Sequence, residues 1–179
     1  MIEKMAIPEG LDVLQSGDGG VVIRRVWRNW WTVIPMAGFL VFWFGFIGCW
    51  YYMAFTQKHS PPLMLILFPL LHVAAGLGLA YTLICNVVNR TDLSVSPLSV
   101  KCFTGPMPWI GNREVSSAEI RGVAVRERRG NKGRVRYALM YVDPANKERT
   151  LISGITRKEQ AEFMEASIRE LLGLRDGAS

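Results

Sequence analysis

Histidine and cysteine are scarce in this chain, which has two histidines and three cysteines among its 179 residues. Cys49, Cys85 and Cys102 lack the C-x-x-C or Cys-His spacing of a metal site, and two of them lie in apolar runs, where a thiol acts as a small hydrophobe. Neither a disulfide framework nor a zinc site is expected. Glycine-rich phosphate loops, a G-x-S-x-G motif and a Cys-His pair are missing too. We therefore expect no catalysis and no cofactor.

Charge is missing from residues 30–86, where Lys58 is the only charged side chain. Two uncharged runs lie there, 26 residues at 30–55 and 27 residues at 62–88. At about 1.5 Å per residue, each is longer than a hydrocarbon core of ~30 Å requires. As helices of a soluble protein, both would have to be buried, and the rest of the chain is too small to cover them. We predict a hairpin of two membrane-spanning helices over residues 29–88, joined by the turn TQKHSPP.

Basic residues around these runs predict the orientation of the hairpin. They precede the first run and follow the second: Arg24, Arg25, Arg28, Arg90 and Lys101. The connecting turn has only Lys58 and a histidine that we take as neutral. The positive-inside rule then predicts that both termini lie in the cytoplasm, with the helices in a bacterial inner membrane.

Two features inside the spans suggest specific roles. His72 is the only side chain there that titrates near neutral pH, which makes it a candidate intramembrane polar site. The simpler interpretation is a neutral histidine bonded to the neighbouring helix, because neither span has a carboxylate to relay a proton. Small residues are predicted to let the two helices approach closely: Gly38, Gly45, Gly48, Ala75, Gly76 and Ala80. Pro69 is expected to kink the second helix.

The chain changes character after residue 89, where short segments alternate apolar and polar side chains. This alternation predicts half-buried strands of an antiparallel sheet. We place strands at 92–96, 98–103, 119–128, 134–142 and 149–153. Two more strands, at 12–15 and 21–26 across the turn SGDGG, are predicted in the N-terminal segment 1–28. We expect this N-terminal hairpin to dock on the later domain.

The last element is the clearest in the chain. Thr156 and Glu159 have the spacing of a capping box, and an apolar stripe at helical spacing follows them. The stripe consists of Ala161, Met164, Ile168, Leu171 and Leu172. With Gly173 as C-cap, a helix is predicted over 157–172. It closes a cytoplasmic domain of residues 89–174, which a short tail, 175–179, follows.

The order of these elements resembles that of a known bacterial family. The residues that carry the resemblance are NRTDLSVSPLSVKCFTGPMPWIGNREVSSAEIRGVAV, then YALMYVD, LISGIT and the last helix with Ala161 and Phe163. Over about residues 87–174 they resemble the pleckstrin-homology-like (PH-like) domains of small bacterial membrane proteins. The resemblance implies a strand meander capped by a helix and a membrane-associated binding role, without an activity. That fold normally has seven strands, and the N-terminal hairpin could supply those missing from the five or six counted after residue 89.

The strongest polar feature is the stretch RERRGNKGRVR, residues 126–136, which we call the basic hairpin. Its basic residues are Arg126, Arg128, Arg129, Lys132, Arg134 and Arg136. The plain interpretation is a solvated hairpin tip. The functional one is contact with anionic lipid head groups or a partner, since each basic residue contributes about 1 kcal/mol near an anionic surface. Nucleic acid is a weaker candidate because no aromatic residues are interleaved for base stacking.

The sequence thus predicts an α+β membrane protein with a transmembrane helical hairpin and a PH-like antiparallel β-sheet or barrel, capped by a C-terminal helix. We expect a binding module without catalysis, acting as a scaffold, accessory or regulatory protein. Its expected partners are the lipid bilayer and a protein, either another chain or a further copy. The alternative is a small transport or channel component in which oligomerised hairpins form a pathway past His72.

Overall fold

The computed structural model describes residues 6–17, 19–56, 63–130 and 133–174. Residues 57–62 of the predicted turn TQKHSPP, Lys132 and the tail 175–179 therefore lie outside the described residues. The chain forms two compact units, one made of Met1–Val26 with Arg90–Ser179 and the other of Trp27–Asn89. The second unit is an insertion in the sequence of the first.

The inserted unit consists of two long helices, α1 (Trp30–Thr56) and α2 (Leu63–Val88). Asn29 caps the start of α1, where its Oδ1 accepts a hydrogen bond from the backbone N–H of Trp31 at 3.1 Å. Both helices are long and apolar enough to cross a membrane. Only 17% and 11% of their most apolar stretches are buried, whereas the core helix of a soluble protein is mostly buried.

One stripe of α1 is buried. Val33, Leu40, Ile47 and Ala54 recur every seven residues, the period of a seam between helices that cross at a small angle. In α2 the buried residues are Pro69, Gly76 and Cys85. The seam of α1 is therefore built mainly of branched aliphatic side chains.

The predicted close approach through small residues is only partly present. Gly76 does lie in tight packing, because a Cβ added there would be 2.9 Å from the Phe44 ring. The prediction is wrong for Gly38, Gly45 and Gly48, since within the described part of the chain no neighbouring atom lies within 4 Å of a Cβ at any of them. The seven-residue stripe of α1 passes through Leu40 and Ile47 and leaves these glycines on other faces.

Five strands form the first sheet: β1 (Leu11–Gln15), β2 (Val21–Val26), β3 (Arg90–Val95), β4 (Ser99–Gly105) and β5 (Arg113–Ser116). Each is antiparallel to the next in chain order. The N-terminal hairpin forms, and its second strand pairs with β3. Val26 and Arg90 are therefore neighbours in the sheet, although the two inserted helices separate them in sequence. Alternation could not reveal β5, because Val115 is the one apolar side chain among its four residues.

The second sheet has three antiparallel strands, β6 (Gly122–Arg129), β7 (Val135–Val142) and β8 (Glu148–Ile155). The residues Ser117–Glu119, just before it, form a short 3-10 helix at the expected start of β6. The α+β class is confirmed. Within the described ranges the strands form two separate antiparallel sheets and no closed barrel, so the predicted antiparallel sheet is confirmed and the predicted barrel is not.

A single apolar core joins both sheets to the last helix, α3 (Lys158–Leu172). Ile23 and Leu93 from the first sheet and Leu139 from the second are fully buried in it. The helix contributes Ala161, Phe163, Met164 and Ile168 to the same core. The stripe predicted for α3 is thus present in its first three members, while Leu171 and Leu172 are only partly buried.

The two ends of α3 differ from each other in how well they were predicted. The capping box is wrong: the N-cap is Arg157, without a side-chain capping bond, and the helix begins one residue later than expected. Arg157 instead forms an ion pair with Glu9 at 2.6 Å, and Gln160 Nε2 donates to the Glu9 carbonyl at 2.8 Å. At the other end Gly173 has φ 61°, the left-handed C-cap that the sequence predicted.

Candidate functional site

His72 lies among aromatic side chains of both helices. The Trp43 and Phe68 ring centroids are 5.6 Å and 4.8 Å from that of His72. Its Nδ1 donates a hydrogen bond to the Phe68 carbonyl oxygen at 3.2 Å, one turn back in the same helix. The expected bond from the ring to the neighbouring helix is therefore replaced by one within α2. The contact between helices runs the other way, with Trp43 Nε1 donating to the His72 carbonyl at 3.1 Å.

A proline in α2 leaves a backbone acceptor that α1 satisfies. Pro69 has no N–H, so the Leu65 carbonyl four residues earlier lacks its usual helical donor. Trp50 Nε1 donates to this oxygen at 3.2 Å. Pro69, Trp50 and His72 help to line a recess of about 60 Å³, far below the roughly 300 Å³ or more of a pocket for an organic ligand.

The basic hairpin divides into paired and unpaired side chains. Arg126 binds the Glu148 carboxylate through two of its nitrogens. This contact lowers the pKa of Glu148 and raises that of Arg126. The Arg129 side chain is exposed, and its Nε lies 3.4 Å from the Glu127 carboxylate oxygen Oε1. Arg134 is exposed. The predicted contact residue Lys132 is outside the described residues.

Arg128 and Arg136 lie directly opposite each other on β6 and β7. Like charges in this position repel one another. The Arg128 guanidinium is 3.4 Å from the Thr150 hydroxyl, and within the described segments neither arginine has an ion pair with a carboxylate. An anion bound between them would relieve the repulsion.

Arg25, on β2, is a residue that the sequence did not single out for binding. Its side chain is partly buried, and its Nη1 atom is fully buried without a hydrogen-bond partner among the residues described. Loss of solvent lowers the pKa of Arg25, and the positive charge of Arg136 lowers it further. Arg136 therefore acts on Arg25 as well as on Arg128, and we call these three residues the arginine cluster.

Cys102 is buried near Arg25. Burial raises the pKa of its thiol to about 11, although the Arg25 charge acts in the opposite direction. At neutral pH the group is a neutral thiol, which is a weak nucleophile. Within the ranges that the structure covers, no three His, Cys, Asp or Glu residues are grouped so as to bind a metal.

The end of β2, the start of β3 and the end of β4 lie side by side, where the chain connects to the helices. Val26, the last residue of β2, pairs with Arg90, the first of β3, and Arg90 pairs with Gly105, the last of β4. We call this row the helix-proximal edge of the sheet. The loop from β4 to β5 begins at the same edge, and its base is fastened by Asn112 Oδ1, which accepts the Thr104 N–H at 2.7 Å.

Two features of this region were visible in the sequence without being recognised. Arg24 and Arg25 are adjacent on a strand, where side chains alternate, so one of them had to face the core. The segment 102–112 is uncharged between Lys101 and Arg113 although it lies in a region of short strands and turns. Which arginine is paired, and which loop lies beside which strand end, depends on register.

No known family model matches the chain, and no curated protein matches it either.

Proposed function

We propose that the protein is a membrane-anchored binding module of the bacterial inner membrane, with both termini in the cytoplasm and without catalysis of its own. It acts as a scaffold, accessory or regulatory protein. The observation that carries this proposal is the insertion of two long apolar helices between the paired strands β2 and β3. The β-domain is thereby tied to the helices by two adjacent connections.

A PH-like fold for the β-domain is part of the proposal. It is supported by the strand order, in which a five-stranded and a three-stranded antiparallel sheet are followed by one helix that closes a shared core. A domain tethered in this way meets the membrane surface at a high effective concentration. Modest affinity for the surface is then enough to orient it.

The arginine cluster is the surface that we propose for anionic head groups. Arg128 and Arg136 repel each other across paired strands, and the charge of Arg136 also reaches Arg25. A lipid phosphate placed between Arg128 and Arg136 gains charge-assisted hydrogen bonds, and it lowers the repulsion between Arg136 and the buried Arg25. Arg126 contributes less, because Glu148 already neutralises it.

Anchoring and topology are tested together in native membranes. We expect the full-length protein to resist extraction by alkaline carbonate and to require detergent for release. Tags at Met1 and Ser179 should both react with a membrane-impermeant reagent only from the cytoplasmic face. Tags found on opposite faces, or a chain that is extracted without detergent, would contradict the proposal.

The head-group contact is tested with the full chain in nanodiscs. Amide exchange in residues 126–130 and 133–136 should slow when neutral lipid is replaced by anionic lipid. Arg128→Gln with Arg136→Gln should abolish this difference. The matched control, Arg157→Gln with Lys158→Gln, removes two charges from the start of α3 and should leave it intact. Equal exchange in both lipids for the native chain would rule the contact out.

The protein partner is sought by crosslinking in the native membrane followed by purification. We expect one species at constant stoichiometry, either another chain or a second copy.

A transport role is a second candidate because His72 lines the recess between the helices together with Trp50 and Pro69. This role predicts that the protein carries a proton flux in liposomes and that His72→Ala abolishes the flux.

A further inference from the structure

The loop between β4 and β5 exposes large apolar side chains. Ile110 is 96% exposed, Trp109 37%, and Phe103 just before the loop 51%. The eleven residues 102–112 carry no charge. Exposed single hydrophobic residues are ordinary, but a tryptophan next to an almost fully exposed isoleucine in an uncharged loop is typical of a surface that meets a partner or a membrane.

The position of the loop indicates which of these it meets. The loop leaves the sheet at Gly105, which pairs with Arg90, and Arg90 pairs with Val26. Val26 is the last strand residue before the helical insertion, and Arg90 is the first after it. If α1 and α2 cross a bilayer, the chain itself holds this helix-proximal edge within a few residues of the interface, at about 3.3–3.6 Å per residue.

We propose that the loop of residues 106–111 inserts Trp109 and Ile110 into the interfacial layer of the bilayer, as a third membrane contact beside the two connections to the helices. This inference rests on the proposed membrane anchoring. The occupant is lipid. Tryptophan is enriched at the interface, where its ring is apolar and its N–H remains solvated, and the isoleucine beside it reaches the acyl chains.

The loop is built to present these side chains. The bond from the Thr104 N–H to Asn112 Oδ1 closes its base, and Gly111, next to the tip, has φ 119°, a conformation that few other residues adopt. Arg90, at the same edge, has a side chain 53% exposed. In a lipid leaflet the phosphates lie outside the acyl chains. A loop with an uncharged tip and a basic residue at its base matches this order, with the tip at the acyl chains and Arg90 at the phosphates.

The chain provides a matched control at the opposite end of the same strand. Leu98 is 84% exposed and precedes β4. At about 3.3 Å per residue, the seven residues of β4 separate the two ends by roughly 23 Å. Leu98 is therefore as apolar and accessible as Ile110, but it lies away from the helix-proximal edge.

The test uses nitroxide labels on the full chain in nanodiscs of phosphatidylcholine and phosphatidylglycerol. Cys49→Ala removes the exposed thiol, while Cys85 and Cys102 are buried. Single labels are then placed at Ile110→Cys, Leu98→Cys and, on an exposed position of α1, Val41→Cys. We expect oxygen to relax the labels at 110 and 41 several-fold more than a water-soluble nickel complex does, and the reverse at 98.

A label at 110 that behaves like the one at 98, while 41 reports lipid, would overturn the loop insertion and leave the anchoring intact. A water-accessible label at 41 would overturn the anchoring, and the loop proposal with it. Trp109→Phe gives a second readout that needs no label: it should remove a distinct part of the tryptophan quenching caused by brominated lipid. Unchanged quenching would speak against insertion.

Discussion

Arg24 and Arg25 are chain neighbours in opposite surroundings. Arg24 faces Asp92 and donates two hydrogen bonds to its carboxylate, at 2.9 and 3.0 Å. Arg25 points to the other side of the strand, where its Nη1 is buried without a hydrogen bond within the described residues. The pKa of Arg24 is raised by Asp92, and that of Arg25 is lowered by loss of solvent.

We expect replacement of each arginine by methionine to change stability in opposite directions. Arg25→Met should raise the free energy of unfolding by about 1 kcal/mol, because an apolar chain of similar length replaces a buried, unpaired charge. Arg24→Met should lower it, since Asp92 loses the two hydrogen bonds from Arg24 and keeps the longer contact with Arg90, at 3.8 Å. Thermal unfolding in detergent, followed by circular dichroism, measures both. A loss of stability with Arg25→Met would show that an anion or water satisfies the guanidinium.

Asp143 makes the turn between β7 and β8 sensitive to acid. Its Oδ1 accepts the N–H groups of Ala145 and Lys147, and its Oδ2 accepts a bond from Arg149 at 2.8 Å. These contacts, led by that with Arg149, lower the pKa of Asp143 below its ordinary 3.8. The carboxylate therefore stabilises the fold above that value, and the contribution is lost as pH falls through the lower folded-state pKa.

We accordingly expect Asp143→Asn to be less stable than the native chain at pH 7 and to approach it in stability as pH falls below the lowered folded-state pKa of Asp143, where the native carboxyl is protonated. The amide oxygen can still accept the two backbone bonds, so the variant removes the negative charge together with the bond from Arg149. Glu148→Gln is the parallel case for the Arg126 pair. Melting temperatures across this pH range provide the check. If the difference in melting temperature between the native chain and the Asp143→Asn variant did not depend on pH, the stabilising role of the Asp143 charge would be contradicted.

At the scale of elements, Trp50 and Pro69 are coupled through one oxygen. Trp50 Nε1 donates to the Leu65 carbonyl, which lacks a helical donor because residue 69 is proline. Trp50→Phe should therefore weaken the helix pair, by about 0.6 kcal/mol for a bond of this kind. In a Pro69→Ala background the helix supplies its own donor, and the same change should cost less. A double-mutant cycle on unfolding in mixed micelles measures the coupling, and a coupling of zero would refute it.

Elements were predictable from the sequence where the periodicity was strong. Two uncharged runs gave both helices, and alternation gave β1–β4 and β6–β8 to within about three residues at most ends. β5 was missed because one apolar residue in four leaves no period to detect. The capping box was wrong: the N-cap is Arg157, which binds Glu9, 148 residues away in sequence, a contact that local patterns do not contain.

Most residues of the candidate site could be predicted from the sequence, but the ion pairs and strand pairing among them could not. The basic hairpin was evident, whereas its division into Arg126, neutralised by Glu148, and Arg128, opposed to Arg136, follows from strand register. Arg25 belongs to the first sheet, so its link to Arg136 depends on how the two sheets pack. The position of Trp109 and Ile110 near the connections to the helices follows from the pairing of Gly105 with Arg90, which the sequence alone does not reveal.

At the scale of the whole molecule, the pairing of Val26 with Arg90 allows the helices to be removed. These residues close a β-hairpin pair, so a two-residue Asn-Gly turn can replace residues 27–89. We expect the shortened chain to keep both sheets and α3 and to be recovered without detergent. Circular dichroism and dispersed amide NMR signals test for the fold. An aggregated or unfolded product would show that the β-domain depends on the helices.

The same arrangement sets an order for assembly during synthesis. Arg24 and Asp92 are 68 residues apart, which at about 5–20 residues per second is a wait of roughly 3–14 s on the ribosome. Until then β1 and β2 are an isolated two-stranded hairpin, which is marginal in water. Completion of the first sheet must follow translation of both helices, and any pause in their synthesis prolongs the life of an unpaired strand edge that chaperones can recognise.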